Sequence, residues 1–215
     1  MNEQPQLVKS KERVSNHGEV FTSKWMVNDM LDLVKDESER IDARVLEPAC
    51  GEGAFLQEVL HRKLSTVQVR YGKNEFERRN YALLSVMNIY GIELLEDNAQ
   101  ICRDSLMGIF VSFVGSSSGV EEWRDAARAV LAANILQGDA LRMVFPSGGA
   151  LSFPEWGYLG KGKFQRRDFK YQDLTKRSVL GEDTLFGDME ISEIFAPDAT
   201  FPVMTVAEIA RMEVP

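Results

Sequence analysis

A short apolar run, Val45-Leu46, leads into Glu47 and then into a loop with glycines at positions 51 and 53. The apolar residues Phe55, Leu56, Val59 and Leu60 then return at helical spacing. Glycines so placed let the backbone turn sharply, and the missing Cβ lets it approach a ligand closely. Amide groups at the start of the following helix then face a negatively charged group. The same residues also fit a plain strand–turn–helix corner. A dinucleotide site is the nearest rival: it wants a third glycine near position 56 and a ribose-binding acid about 20 residues on. Position 56 is Leu, and the next acid closing an apolar strand is Glu93, which disfavours that rival.

The pattern of strand, acid and helix recurs. Ser23 precedes a predicted helix over 24–34, with Met26, Val27, Met30, Leu31 and Val34 on one face. The helix after the glycine loop is predicted to run to about Arg62, and a second helical pattern between Phe76 and Asn88 reads as an insertion lying over the sheet. Ile89–Glu93 reads as a second strand ending in an acid, followed by a helix over 96–113, a break at Gly115–Gly119 and a helix over 121–133. Asn134–Asp139 reads as a third strand, again with a terminal acid. Such alternation predicts an α/β fold with a doubly wound, mostly parallel sheet. Ligands of such sheets collect outside the carboxyl ends of the strands, where Glu47, Glu93 and Asp139 stand. Beyond Asp139 the alternation fades. Leu151–Trp156 reads as a fourth strand with its exit loop, 181–193 as an acidic stretch, and Val206–Met212 as a short terminal helix. The expected organisation is a flexible arm over 1–16, a main domain over 17–160 and a basic, then acidic, extension over 161–215.

At 215 residues and 44 % apolar content the chain is sized for one ordinary globular core. No apolar run approaches the length of a membrane span, and the polar start lacks the apolar core of a signal peptide. Cys50 and Cys102 are the only cysteines, which argues against a disulfide framework and fits a reducing cytoplasm. No metal is expected. The net charge of −8 argues against a stand-alone nucleic-acid binder, so any DNA contact is expected to be local or shared with a partner.

The run Glu47-Pro48-Ala49-Cys50-Gly51-Glu52-Gly53-Ala54-Phe55 resembles motif I of the S-adenosylmethionine-dependent DNA methyltransferases. The adenine-modifying members carry a D/E-P-x-C-G-x-G-x-F pattern there. Tyr90-Gly91-Ile92-Glu93 is similar to motif II, Gln137-Gly138-Asp139-Ala140-Leu141 to motif III, and His17-Gly18-Glu19-Val20-Phe21-Thr22 to motif X. The order X, I, II, III is that of the adenine-N6 class and of restriction–modification methylase subunits. The resemblance implies a Rossmann-like fold, cytoplasmic location, and a loop of Ala49, Cys50, Gly51, Gly53 and Phe55 around the methionine end of the cofactor. Glu47 is implied to lie near the ammonium and sulfonium charges, and Glu93 to accept from both ribose hydroxyls, for which a carboxylate suits. Asp139, with Ala140 beside it, is implied to accept from the adenine amine, and Phe21 and Thr22 to approach the adenine and the cofactor's carboxylate.

The same family places a polar-Pro-Pro-aromatic loop after its fourth strand, and this sequence has no Pro-Pro pair. The nearest match is Phe153-Pro154-Glu155-Trp156, which keeps a proline and an aromatic but replaces the polar acceptor by Phe153. Pro154, Glu155 and Trp156 are therefore the candidate catalytic residues, with Glu155 as the substitute acceptor for charge forming at the target nitrogen. A turn ahead of a basic tail explains the same residues. Lys161, Lys163, Arg166, Arg167 and Lys170, interleaved with Phe164, Phe169 and Tyr171, have the composition of a nucleic-acid contact. They fit a solvated strand or hairpin face equally well. Leu185-Phe186 reads as a buried anchor. Three functions remain open: a DNA adenine-N6 methyltransferase, a non-catalytic cofactor-binding subunit needing a partner for sequence recognition, and a methyltransferase for RNA or another substrate.

Overall fold

The computed structural model describes residues 12, 13, 15, 22–116, 119–179 and 196–213. The acidic stretch at 181–193, the Leu185-Phe186 pair, Phe21 and most of the 1–16 arm lie outside the described residues. Up to residue 137 the chain forms α1 (Lys24–Asp32), α2 (Lys35–Glu39), β1 (Val45–Glu47), α3 (Ala54–Tyr71), α4 (Glu75–Met87), β2 (Ile89–Glu93), α5 (Glu96–Val114), α6 (Glu121–Asn134) and β3 (Ile135–Gln137). After it come β4 (Ser152–Gly160), β5 (Lys163–Lys170), α7 (Tyr171–Val179), β6 (Ala199–Thr200), β7 (Met204–Thr205) and α8 (Val206–Ala210).

The fold is mixed α/β. β1, β2 and β3 form a parallel sheet with β2 in the middle; Val45 lies opposite Ile89, and Gly91 opposite Ile135. Side chains alternate across the sheet because the strand period is two. Ile89 and Ile135 join the helices α3 to α6 in the larger core, with Leu56, Leu60, Leu83, Leu106, Phe110 and Val130. Tyr90, Ile92 and Leu136 face the other way, onto Leu151, Phe153 and Tyr171.

The expectation of a mostly parallel sheet holds for β1–β3 alone. The predicted fourth strand is instead β4, which pairs antiparallel with β5 in a separate sheet completed by β6 and β7. The physical reason is the turn Gly160-Lys161-Gly162, where all three residues have positive φ (+83°, +53°, +70°). Two glycines around a left-handed residue favour a tight reversal. The hairpin therefore crosses the expected boundary at residue 160. The terminal helix α8, started by a capping box of Thr205 and Glu208, buries Val206 and Ile209 in the larger core rather than standing apart as an extension.

Two helices differ from expectation. α1 buries Val27 and Leu31, while Met26, Met30 and Val34 are exposed, since only one narrow stripe of the helix meets α3. α3 continues past Arg62 to Tyr71 because Leu64 and Val67 prolong its buried stripe. Among the described residues no helix is long and apolar enough to cross a membrane.

Two buried polar side chains join these parts. Lys63 donates from Nζ to the carbonyls of Arg40, Ile41 and Ala43, fixing the turn that delivers β1. Asn134, at the junction of α6 and β3, has Nδ2 near the carbonyls of Val86, Met87 and Ile89, at 3.4, 3.2 and 3.0 Å. Its Oδ1 accepts the Trp156 indole N–H at 3.0 Å, so one amide links α4, β2, α6 and β4. Leucine there would keep the volume and leave these groups unpaired. Chemical denaturation of Asn134→Leu should show a loss of about 2–4 kcal/mol, the scale of several unsatisfied buried polar groups.

Candidate functional site

Parallel pairing brings the carboxyl ends of β1, β2 and β3 side by side, so Glu47, Glu93 and, two residues past β3, Asp139 share one edge of the sheet. The glycine loop lies along this edge. Gly51 (φ +54°) and Gly53 (φ +83°) both occupy the left-handed region that glycine favours. A Cβ on Gly53 would fall 2.5 Å from the Cys102 sulfur, so this glycine lets α3 start hard against α5. A Cβ on Gly51 would meet nothing within 4 Å, which leaves the space over that residue open.

Glu93 organises the edge. Its buried carboxylate accepts the Gly51 N–H at 2.9 Å and the Leu95 N–H at 3.0 Å. Its backbone carbonyl accepts from Gly138 N–H at 2.8 Å, and the neighbouring Ile92 carbonyl accepts from Cys50 N–H at 3.0 Å. Each carboxylate oxygen has a lone pair beyond the one its amide uses. Asp139 turns Oδ1 onto the amides of Leu141 and Arg142, both at 2.9 Å, and its Oδ2 lies 3.7 Å from Arg142 Nε. Glu47 is half-buried. Burial pushes its carboxyl up from the ordinary value of 4.5, opposed by a hydrogen bond from the Ala49 N–H.

The remaining predicted cofactor residues divide. Ala49 is exposed on the loop and Ala140 is half-buried beside Asp139. Thr22 borders a cavity of about 190 Å³ shared with Ala54 and Gln57, at the start of α3. Phe55 packs against the larger core, and Cys50 turns its side chain inward against Gly91 and Cys102. A hydrogen bond with Cys102 and burial push the Cys50 thiol up, so it stays protonated in the core. Cys50 and Phe55 thus serve the loop through packing, and only the backbone of Cys50 lies in it.

The predicted catalytic residues do not form an exposed loop. Pro154, Glu155 and Trp156 lie inside β4, paired with Asp168, Arg167 and Arg166. Trp156 is buried, its N–H on Asn134 and its ring beneath the Arg166 guanidinium, so it has no free face to stack on a base. Glu155 makes ion pairs with both Arg44 and Arg167. The basic cluster is largely neutralised as well. Arg166 is buried, pairs with Asp168 through two nitrogens at 2.7 and 2.8 Å, and lies over Phe201. Arg167 pairs with Glu155, Lys170 with Asp198, and Lys161 sits at the hairpin turn with Lys163 just beyond it. Strand alternation explains this: a period of two spreads the cations over both faces of β5 instead of one.

One contact had no signal in the sequence. Arg13, within the stretch read as a flexible arm, donates to Asp97 at 2.8 Å and to Asn98 at 3.3 Å, at the start of α5 just beyond Glu93. A lone arginine in a polar segment gives no periodicity by which to place it. No protein-family model, curated protein or solved structure matches this chain.

The raised Glu47 carboxyl has a consequence for stability. A carboxyl whose folded value exceeds its unfolded value costs nothing at low pH and lowers stability as pH rises through that window. Glu47→Gln keeps the acceptor for Ala49 and removes the charge. Its melting temperature should exceed that of the unaltered protein at pH 7–8, and the gap should close below about pH 4. A thermal melt series across this range checks it.

Proposed function

We propose that this chain has a Rossmann-like fold and holds S-adenosylmethionine at the carboxyl edge of β1–β3, as the cofactor-binding part of a DNA adenine-N6 methyltransferase of the restriction–modification type. The observation that carries this reading is the alignment of Glu47, Glu93 and Asp139 along one sheet edge, where Glu93 also holds the amide of Gly51, whose own face is open. The donor set suits the cofactor. Glu47, half-buried, would face its cationic methionine end; an acid that burial disfavours gains from an opposite charge nearby. The spare lone pairs of Glu93 would take the ribose hydroxyls, and Asp139 Oδ2 the adenine amine. When bound, the cofactor supplies a methyl group on a sulfonium, ready for a nucleophile.

The acceptor for the target amine is assigned to a partner. The sequence holds no Pro-Pro-aromatic run, Glu155 is held by two arginines, and Trp156 is buried. An enzyme that flips a base must also offset unstacking with contacts around it. The chain's −8 charge and internally paired hairpin cations are poorly suited to that alone. These facts favour a cofactor-binding subunit over a self-sufficient enzyme. RNA or another substrate in place of DNA is the remaining alternative.

Calorimetry with S-adenosylhomocysteine should show binding that Gly51→Val or Glu93→Ala weakens by about 1–3 kcal/mol. Tight binding indifferent to both substitutions would remove the site. Transfer of labelled methyl to unmethylated DNA at low salt should be negligible for the isolated chain and rise with proteins encoded alongside it. Robust turnover by the chain alone, abolished by Glu155→Ala, would show β4 to be catalytic and overturn the assignment to a partner.

A further inference from the structure

The charged side chains assigned to the cofactor at the strand ends, Glu47, Glu93 and Asp139, are all acids. They suit its cationic groups, its ribose and its adenine amine. The amino-acid end also carries a carboxylate, which acids repel and which calls for a cation. That counter-ion has to come from outside the sheet.

The cavity of about 190 Å³ bordered by Thr22 holds one. It lies between the start of α1 and the start of α3, with Lys24, the first residue of α1, in its wall. The α3 wall adjoins the glycine loop. Ala54 follows Gly53 directly, and Gln57 donates from Nε2 to the Glu52 carbonyl at 3.0 Å. An apolar cavity of roughly 150 Å³ admits benzene, so this one has room for the amino-acid end of the cofactor and not for its nucleoside.

The charges around the cavity leave Lys24 available. Glu58, the acid in the α3 wall, lies 3.5 Å from Arg62 Nε, and Arg62 also pairs with Asp32 at 2.8 Å. Among the described residues Lys24 has no hydrogen-bond or ion-pair partner for its ammonium. Val27 and Leu31 are buried where α1 meets α3, so the backbone that carries this ammonium is held in place. A lysine is a compact charge on a flexible stem, able to follow a carboxylate into position.

We propose that Lys24 is the counter-ion of the cofactor's carboxylate, with the amino-acid end of S-adenosylmethionine in this cavity and its carboxylate on the Lys24 ammonium. The proposal rests on the reading of the β1–β3 edge as the cofactor site. It makes α1 part of that site and sets a preference for a ligand whose amino acid is intact.

S-Adenosylhomocysteine and S-adenosyl-3-thiopropylamine differ only by the carboxylate. The amine carries the more positive charge, so a site of acids alone would bind it at least as well. Calorimetry at low salt on the full chain should instead show S-adenosylhomocysteine binding about tenfold more tightly, the size of one charge-assisted hydrogen bond. In Lys24→Met the preference should vanish through weaker binding of S-adenosylhomocysteine alone, and Lys24→Arg should keep it. Equal affinities in the unaltered chain, or a preference that survives Lys24→Met, would overturn the role of Lys24 and leave the cofactor site standing. Binding of neither compound would overturn the cofactor reading and this inference with it. Each ratio is taken within one protein, so a change in a variant's stability does not enter it.

Discussion

The buried carboxylate of Glu93 accepts the amides of Gly51 and Leu95, while its own carbonyl takes the amide of Gly138. One residue at the end of the central strand thus ties together the glycine loop after β1, the start of α5 and the exit from β3. A bond from a charged acceptor is among the stronger kinds, and in a buried setting both of its amides would be costly to leave unpaired. The loop can hold Gly51 and Gly53 at positive φ because it is anchored at the amides of Cys50 and Gly51 on one side and braced by Cys102 on the other. The open space over Gly51 is therefore a fixed feature of the edge.

Those parts of the fold whose signals are local were legible in the sequence. Three apolar runs each closing near an acid, with amphipathic stretches between them, specified β1–β3 and the helices of the larger core. Their parallel pairing follows from the crossovers that the intervening helices impose. What escaped reading depends on partners distant in the chain. Phe153-Pro154-Glu155-Trp156 looked like a loop because proline and an acid interrupt the apolar pattern; it is a strand because β5 lies opposite and two arginines hold Glu155. The hairpin's basic residues looked like a patch in one dimension and are divided between faces in three. Asn134 and Lys63 carried no signal, since a buried polar residue is recognised only once the carbonyls it meets are known.

The hairpin also bears on how labour is divided in the proposed function. Its inner strand covers the sheet face below Tyr90 and Ile92 and locks onto Asn134 through Trp156, so it acts as a structural lid for the parallel sheet. Leu94 and Leu141 stand exposed beside the acids of β2 and β3, leaving the candidate edge with an apolar fringe around its acids.

Hydrogen exchange of the backbone amides, with and without saturating S-adenosylhomocysteine, tests the central claim most directly because it needs no substitution and reads every part of the chain. Ligand-induced protection is expected in three short stretches, residues 49–54, 93–95 and 138–142, with the hairpin of β4 and β5 unchanged. Protection absent at saturation, or concentrated on the hairpin and away from the three strand ends, would contradict the assignment of this edge as the cofactor site.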